Sequence, residues 1–166
     1  MPKPGDLQET FAQVCQVLNV HDVKLETVKN GDSANIWLAQ TASSARVVRL
    51  SSFAAEGPWM PCVVAHEVAH LRPWANSIMR GSMLLLPPFL AWPIRWAVEL
   101  WCDMAAVRIA PVEATIAWMM MLEGGVNHPK DFWAKIQVWL THPPVIFRLL
   151  FLTWALRRKK KCWKTS

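Results

Sequence analysis

Tyrosine is absent from this chain, glycine is scarce at six residues, and charged side chains make up only 18% of the sequence. Cysteine is present but never as a CxxC pair, since Cys15, Cys62, Cys102 and Cys162 stand far apart. That scatter excludes the paired spacing of common zinc modules and redox motifs, and points to free thiols in a reducing cytoplasm. The opening residues, MPKPGDLQET, lack the apolar core of a secretory signal peptide. Also missing is an uninterrupted apolar run of the roughly 20 residues that a transmembrane helix needs. The best candidate, Ser82 to Ile94, carries Pro87, Pro88 and Pro93, which break helix continuity and leave backbone groups unpaired in lipid. A second, Val145 to Leu156, is interrupted by Arg148.

What the chain has instead is apolar mass: 53% hydrophobic residues, with eleven Trp and eight Met in 166 residues. This is richer than an average globular domain and enough for one core, but short for two. The reading is a single domain over residues 1–156 and a basic tail over 157–166. The net charge of +6 is concentrated in that tail, at Arg157-Arg158-Lys159-Lys160-Lys161 and Lys164. Such a distribution argues against a broad nucleic-acid-binding face. It suits a solvated terminus, or peripheral contact of the tail and a Trp-rich surface with the anionic inner face of a membrane.

Along the chain, Asp6 is placed to cap a helix through Leu18, with Leu7, Phe11, Val14, Cys15 and Leu18 at helical spacing. Strands are expected over Asp22–Val28, Asn35–Ala39 and Arg46–Leu50, the first two separated by the turn-forming Lys29-Asn30-Gly31-Asp32. A buried helix over Trp59–Leu71 follows, with Pro58 in its first turn and Pro73 as its stop. A Pro-rich apolar connector covers 72–93. Helices are expected again over Ile94–Ile109, Val112–Leu122, Pro129–Leu140 and Pro144–Arg158. Helix, small sheet, then helices is an α+β order.

The chemistry gathers at His66-Glu67-Val68-Ala69-His70. Residues four apart on a helix share a face, so both imidazoles can bind one zinc, with Glu67 beside a metal-bound water. The surrounding Val63, Val64, Ala65, Val68 and Ala69 would bury these polar groups at a cost that a metal removes. Catalytic zinc needs a third protein ligand and an open position. Glu99 is the best candidate, set among Ala97, Val98, Leu100 and Trp101, although an interhelical salt bridge would also satisfy it. Asp103, one turn on, can orient a zinc-bound histidine or sit in solvent. Cys102 could compete for the metal as a thiolate or pack as a small apolar side chain.

Three segments in order, HEVAH, Glu99-Leu-Trp-Cys-Asp103-Met-Ala-Ala and Thr141-His142-Pro143-Pro144 followed by Arg148, resemble the HtpX-type and CAAX prenyl endopeptidase group of zinc metallopeptidases. Ala34-Asn35-Ile36 and RVVRLSSF resemble the sheet segments of that family. The resemblance spans about Leu7 to Leu150. It implies a gluzincin fold with a small three-stranded sheet packed on the active-site helix, and a mostly helical C-terminal half. It further implies one Zn2+ held by His66, His70 and Glu99, and hydrolysis of a polypeptide substrate with Glu67 as general base. His142 would stabilise the oxyanion or only cap a helix. Arg148 would bridge acidic groups near the site, and Asn35 would lie on the sheet edge, where an extended substrate adds as a strand. Only residues 71–98 separate His70 from Glu99, so the chain reads as a reduced form without the family's full transmembrane helices. Two other readings stay open. One is a zinc-stabilised, non-hydrolytic membrane- or partner-binding module with Cys102 or Asp103 closing the metal. The other is a latent peptidase blocked by its connector or tail.

Overall fold

The computed structural model describes residues 6–29, 39–123 and 142–164. It begins with α1 (Leu7–Leu18), whose N-cap Asp6 accepts hydrogen bonds from the Gln8 and Glu9 amides at 2.9 and 3.1 Å. Asn19, with φ of 52°, closes the helix in the left-handed region. Phe11, Val14 and Leu18 form its buried stripe, as their spacing requires.

Strands β1 (Lys24–Val28), β2 (Ala39–Ala42) and β3 (Val47–Ser51) make a mixed sheet in the order β1-β3-β2. β3 is central, parallel to β1 with Lys24 beside Val47 and antiparallel to β2 with Ala39 beside Leu50. Its Val48 and Leu50 are fully buried. The second strand therefore begins where the expected one, Asn35–Ala39, ends. Asn35 and the expected helix over Pro129–Leu140 lie outside the described residues.

A short α2 (Ser52–Glu56), capped by the Ser51 hydroxyl on the Ala54 amide, leads into α3 (Met60–His70). Pro61, not Pro58, occupies the first turn of α3, where a missing N–H costs nothing. Nine of its eleven residues are buried, so α3 is a central helix with neighbours on almost every side.

The stretch 72–93 is not an irregular connector. It contains α4 (Pro73–Leu85) and the beginning of α5 (Pro88–Ile109). Pro73 and Pro88 sit in helix first turns and Pro87 is an N-cap, positions that need no amide proton, so these prolines start helices instead of dissolving them. Only Pro93 lies inside a helix. Trp74, at the start of α4, stands edge-on to Trp101 in the second half of α5, with centroids 4.2 Å apart, which makes the two an antiparallel hairpin.

Helix α6 (Val112–Glu123) and helix α7 (Val145–Lys164) complete the described fold. The last helix runs on through the basic run Arg157–Lys161, which sequence reading placed in a separate tail. One cluster, including Val14, Leu50, Val64, Val68, Val107 and Leu152, joins the sheet to α1, α3, α5 and α7. The architecture is α+β, mostly helical with one small three-stranded sheet. Among the described residues, no helix is long and apolar enough to cross a membrane.

Candidate metal centre

Helices α3 and α5 pack along one another and bring the chemistry-bearing residues into one place. His66 and His70, one turn apart, present their Nε2 atoms to each other at 3.2 Å. Glu99 enters from α5 with Oε2 3.3 Å from His66 Nε2 and Oε1 3.3 Å from His70 Nε2. These spacings can be tested against a cation. Ligands held tetrahedrally at about 2.0–2.1 Å from zinc must stand about 3.3–3.4 Å from each other. The nearest contacts have that size, the two from Glu99 being made by its two different oxygens, and one ligand atom from each of the three residues lies within 4.8 Å of the others.

Burial sharpens the fit. His66 and Glu99 are 5% and 3% exposed, and Glu99 Oε2 has no hydrogen-bond partner among the described residues. Asp103, one turn further along α5, is fully buried as well. Two buried carboxylates require two positive charges nearby, and the fixed cation beside them is Arg148. It grips Asp103 with two hydrogen bonds, Nε to Oδ2 at 2.9 Å and Nη2 to Oδ1 at 2.6 Å. The remaining negative charge, on Glu99, faces the two imidazoles and calls for a cation there.

Directions of titration agree. Glu99 is held below the usual carboxylate range, its burial outweighed by His70, His142 and His66. His70 is lowered, chiefly by burial, which keeps an Nε2 lone pair available. Burial also pulls His66 down, but Asp103 and Glu99 outweigh it and hold the imidazole at about 10. A proton on His66 thus supplies positive charge beside Glu99, and a metal ion bound by His66 near neutrality would have to displace it.

Asp103 belongs behind this triangle. Its Oδ1 lies 2.9 Å from His66 Nδ1, a contact whose angle falls short of a formed hydrogen bond. This placement leaves His66 Nε2 for the metal side. Trp118 packs edge-on against His66 and beneath the Arg148 guanidinium, fixing both planes. Replacing Asp103 by Asn should lower zinc affinity about 10- to 100-fold, measured by competition with a chromophoric chelator.

Cys102 is fully buried in the apolar cluster, and burial pushes its thiol well above the ordinary range, so it packs and does not join the ligand group. His142 reaches the site from the segment before α7, half exposed, its Nε2 3.7 Å from Glu99 Oε2. Glu67 lies on the partly exposed side of α3.

One participant escaped the sequence reading. Thr41, on β2, places its hydroxyl 2.7 Å from Glu67 Oε2 and 3.0 Å from the Glu67 carbonyl, so its single proton is directed at the glutamate. A lone threonine in a strand carries no motif, and only the pairing of β2 with β3 above α3 sets it there.

Comparison with family models, with curated proteins and with solved structures finds no match.

Proposed function

We propose that the chain is a zinc-dependent endopeptidase of the gluzincin type. The observation that carries this reading is the His66–His70–Glu99 cluster, with nearest contacts of 3.2–3.3 Å, and Glu67 on the same helix between the two histidines. Three protein ligands leave a fourth position for water, as in catalytic zinc sites. Of the other ligand-capable residues nearby, Asp103 is engaged by Arg148 and Cys102 by the core, and His142 lies outside the ligand group. That favours hydrolysis over a purely structural metal.

When bound, zinc supplies a Lewis acid that acidifies a water and polarises the scissile carbonyl. Glu67 takes the proton of the attacking water and returns it to the departing amine. Thr41 holds one oxygen of that carboxylate and leaves the other available. His142, on the open side, is placed to donate to the carbonyl oxygen as negative charge develops there. Among the described residues β2 is an edge strand next to α3, and an extended polypeptide aligned along it would lie across the site.

The test is proteolysis of an unfolded polypeptide by the purified chain. Cleavage should stop on chelation and return with stoichiometric zinc; cleavage indifferent to chelators would overturn the reading. A finer expectation concerns Thr41. Thr41→Val keeps the shape but removes the hydroxyl, and kcat should fall about tenfold with KM and zinc content unchanged. Thr41→Ser should restore the rate.

A further inference from the structure

The twelve acidic residues are unevenly distributed: none falls between Glu67 and Glu99, and none between Asp131 and Ser166. These gaps cover α4 and the first half of α5, and the whole of α7. The same elements carry bare apolar side chains. Leu84 and Leu85, at the turn of the hairpin, are 82% and 81% exposed, more than any other large apolar residue described. On α7, Ile146, Phe147 and Leu150 are more than half exposed.

The two areas are joined. Trp92 stacks edge-on with Trp96 at 4.5 Å between centroids, and Trp96 meets Phe147 at 6.1 Å. Further along α7, Phe151 contacts Trp154, which lies under the Arg158 guanidinium at 4.6 Å. The helix then continues through Lys159, Lys160 and Lys161 to Lys164. The result is a connected aromatic and aliphatic surface flanked by exposed Arg80 on the hairpin and exposed Arg157 and Arg158 at the far end of α7, with exposed Glu123 of α6 sharing a cleft with Arg157.

We infer that this surface docks on a lipid bilayer bearing anionic headgroups, with the Leu84-Leu85 turn entering the interface and the basic end of α7 lying on it. Tryptophans at headgroup depth, aliphatic residues below them and arginines reaching back to phosphate are what an interfacial element requires. Insertion is shallow, because no described helix can span a bilayer. A second copy of the chain fits the surface poorly, since pairing would set arginine against arginine. A nucleic acid would satisfy the cations but leave the leucine turn in water. The inference is independent of the peptidase reading, and its test needs no catalysis.

The experiment is flotation of the full-length chain, zinc-loaded and metal-free, with vesicles of phosphatidylcholine alone or mixed with phosphatidylglycerol. Both forms should float with the mixed vesicles and far less with the neutral ones. Arg157→Glu/Arg158→Glu should reduce partitioning at least about tenfold, as should raised salt. Leu84→Glu/Leu85→Glu, at exposed positions that leave the core and zinc content intact, should reduce it by at least about tenfold as well. Failure to float, equal flotation with neutral vesicles, or flotation untouched by the leucine substitutions overturns the inference. So does a lipid-free dimer that these substitutions dissociate in a chain that does not float.

Discussion

Glu67→Gln should abolish peptide hydrolysis, with kcat lower by about 10²- to 10⁴-fold, while zinc stoichiometry and thermal stability stay near those of the unaltered chain. The separation follows from where the side chain sits. Glu67 is outside the candidate ligand group of His66, His70 and Glu99, and it is partly exposed, like His70 and unlike His66 and Glu99. Glutamine keeps its length and an oxygen that can still accept from the Thr41 hydroxyl. What it loses is basicity, and a group that cannot accept the proton of water cannot act as general base. The measurement pairs initial rates on an unfolded polypeptide with metal analysis of the same sample. Turnover at the unaltered rate would remove Glu67 from the mechanism even if zinc is present. Loss of zinc with loss of turnover would mean that Glu67 supports the metal instead of the proton transfer.

Legibility in the sequence followed how local the determining chemistry was. His66 and His70 needed only helical periodicity to share a face, and Glu99 stood out because an ionised carboxylate in an apolar helix requires a partner. Asp103 followed from Glu99 by one helical turn. The opening helix was readable because Asp6 caps it by a contact two and three residues away. Thr41 was not readable, because its role arises from a strand crossing above α3, a contact 26 residues apart in sequence. Nor was the hairpin over residues 73–109, where composition and position conflict. Four prolines suggested a broken segment, yet Pro73, Pro87 and Pro88 occupy the places at helix beginnings where proline is favoured, and only Pro93 opposes the helix it lies in. The resemblance brought Arg148 to notice as a bridge to acidic groups; its specific pairing with Asp103 depends on the docking of α7 against α5.

Arg148→Leu should be the most destabilising single substitution at the site, lowering stability by about 3–5 kcal/mol. Asp103 is fully buried, and the largest influence opposing its burial is Arg148, which keeps its carboxyl below the ordinary range. Removing the guanidinium takes away both hydrogen bonds and leaves an anion in an apolar interior with only His66 beside it. The pair also ties α7 to α5, so the loss reaches the helix that His142 precedes. In the unaltered chain the depressed Asp103 contributes stability that is fully present above the ordinary aspartate range and is lost as pH falls through its lower folded value. Without Arg148, the cost is that of a buried unpaired anion, so the deficit should be greatest near neutrality and shrink toward acid, where Asp103 is protonated in folded and unfolded chain alike. Replacing both partners, Asp103→Leu with Arg148→Leu, should recover much of the loss because no uncompensated charge remains. Denaturant unfolding of the two single variants and the double, with zinc in excess and at several pH values, measures the coupling. Strictly additive effects would mean that the ion pair does not act as a unit, and that α7 is held to α5 by apolar contacts such as those of Leu152 and of Phe147 with Trp96.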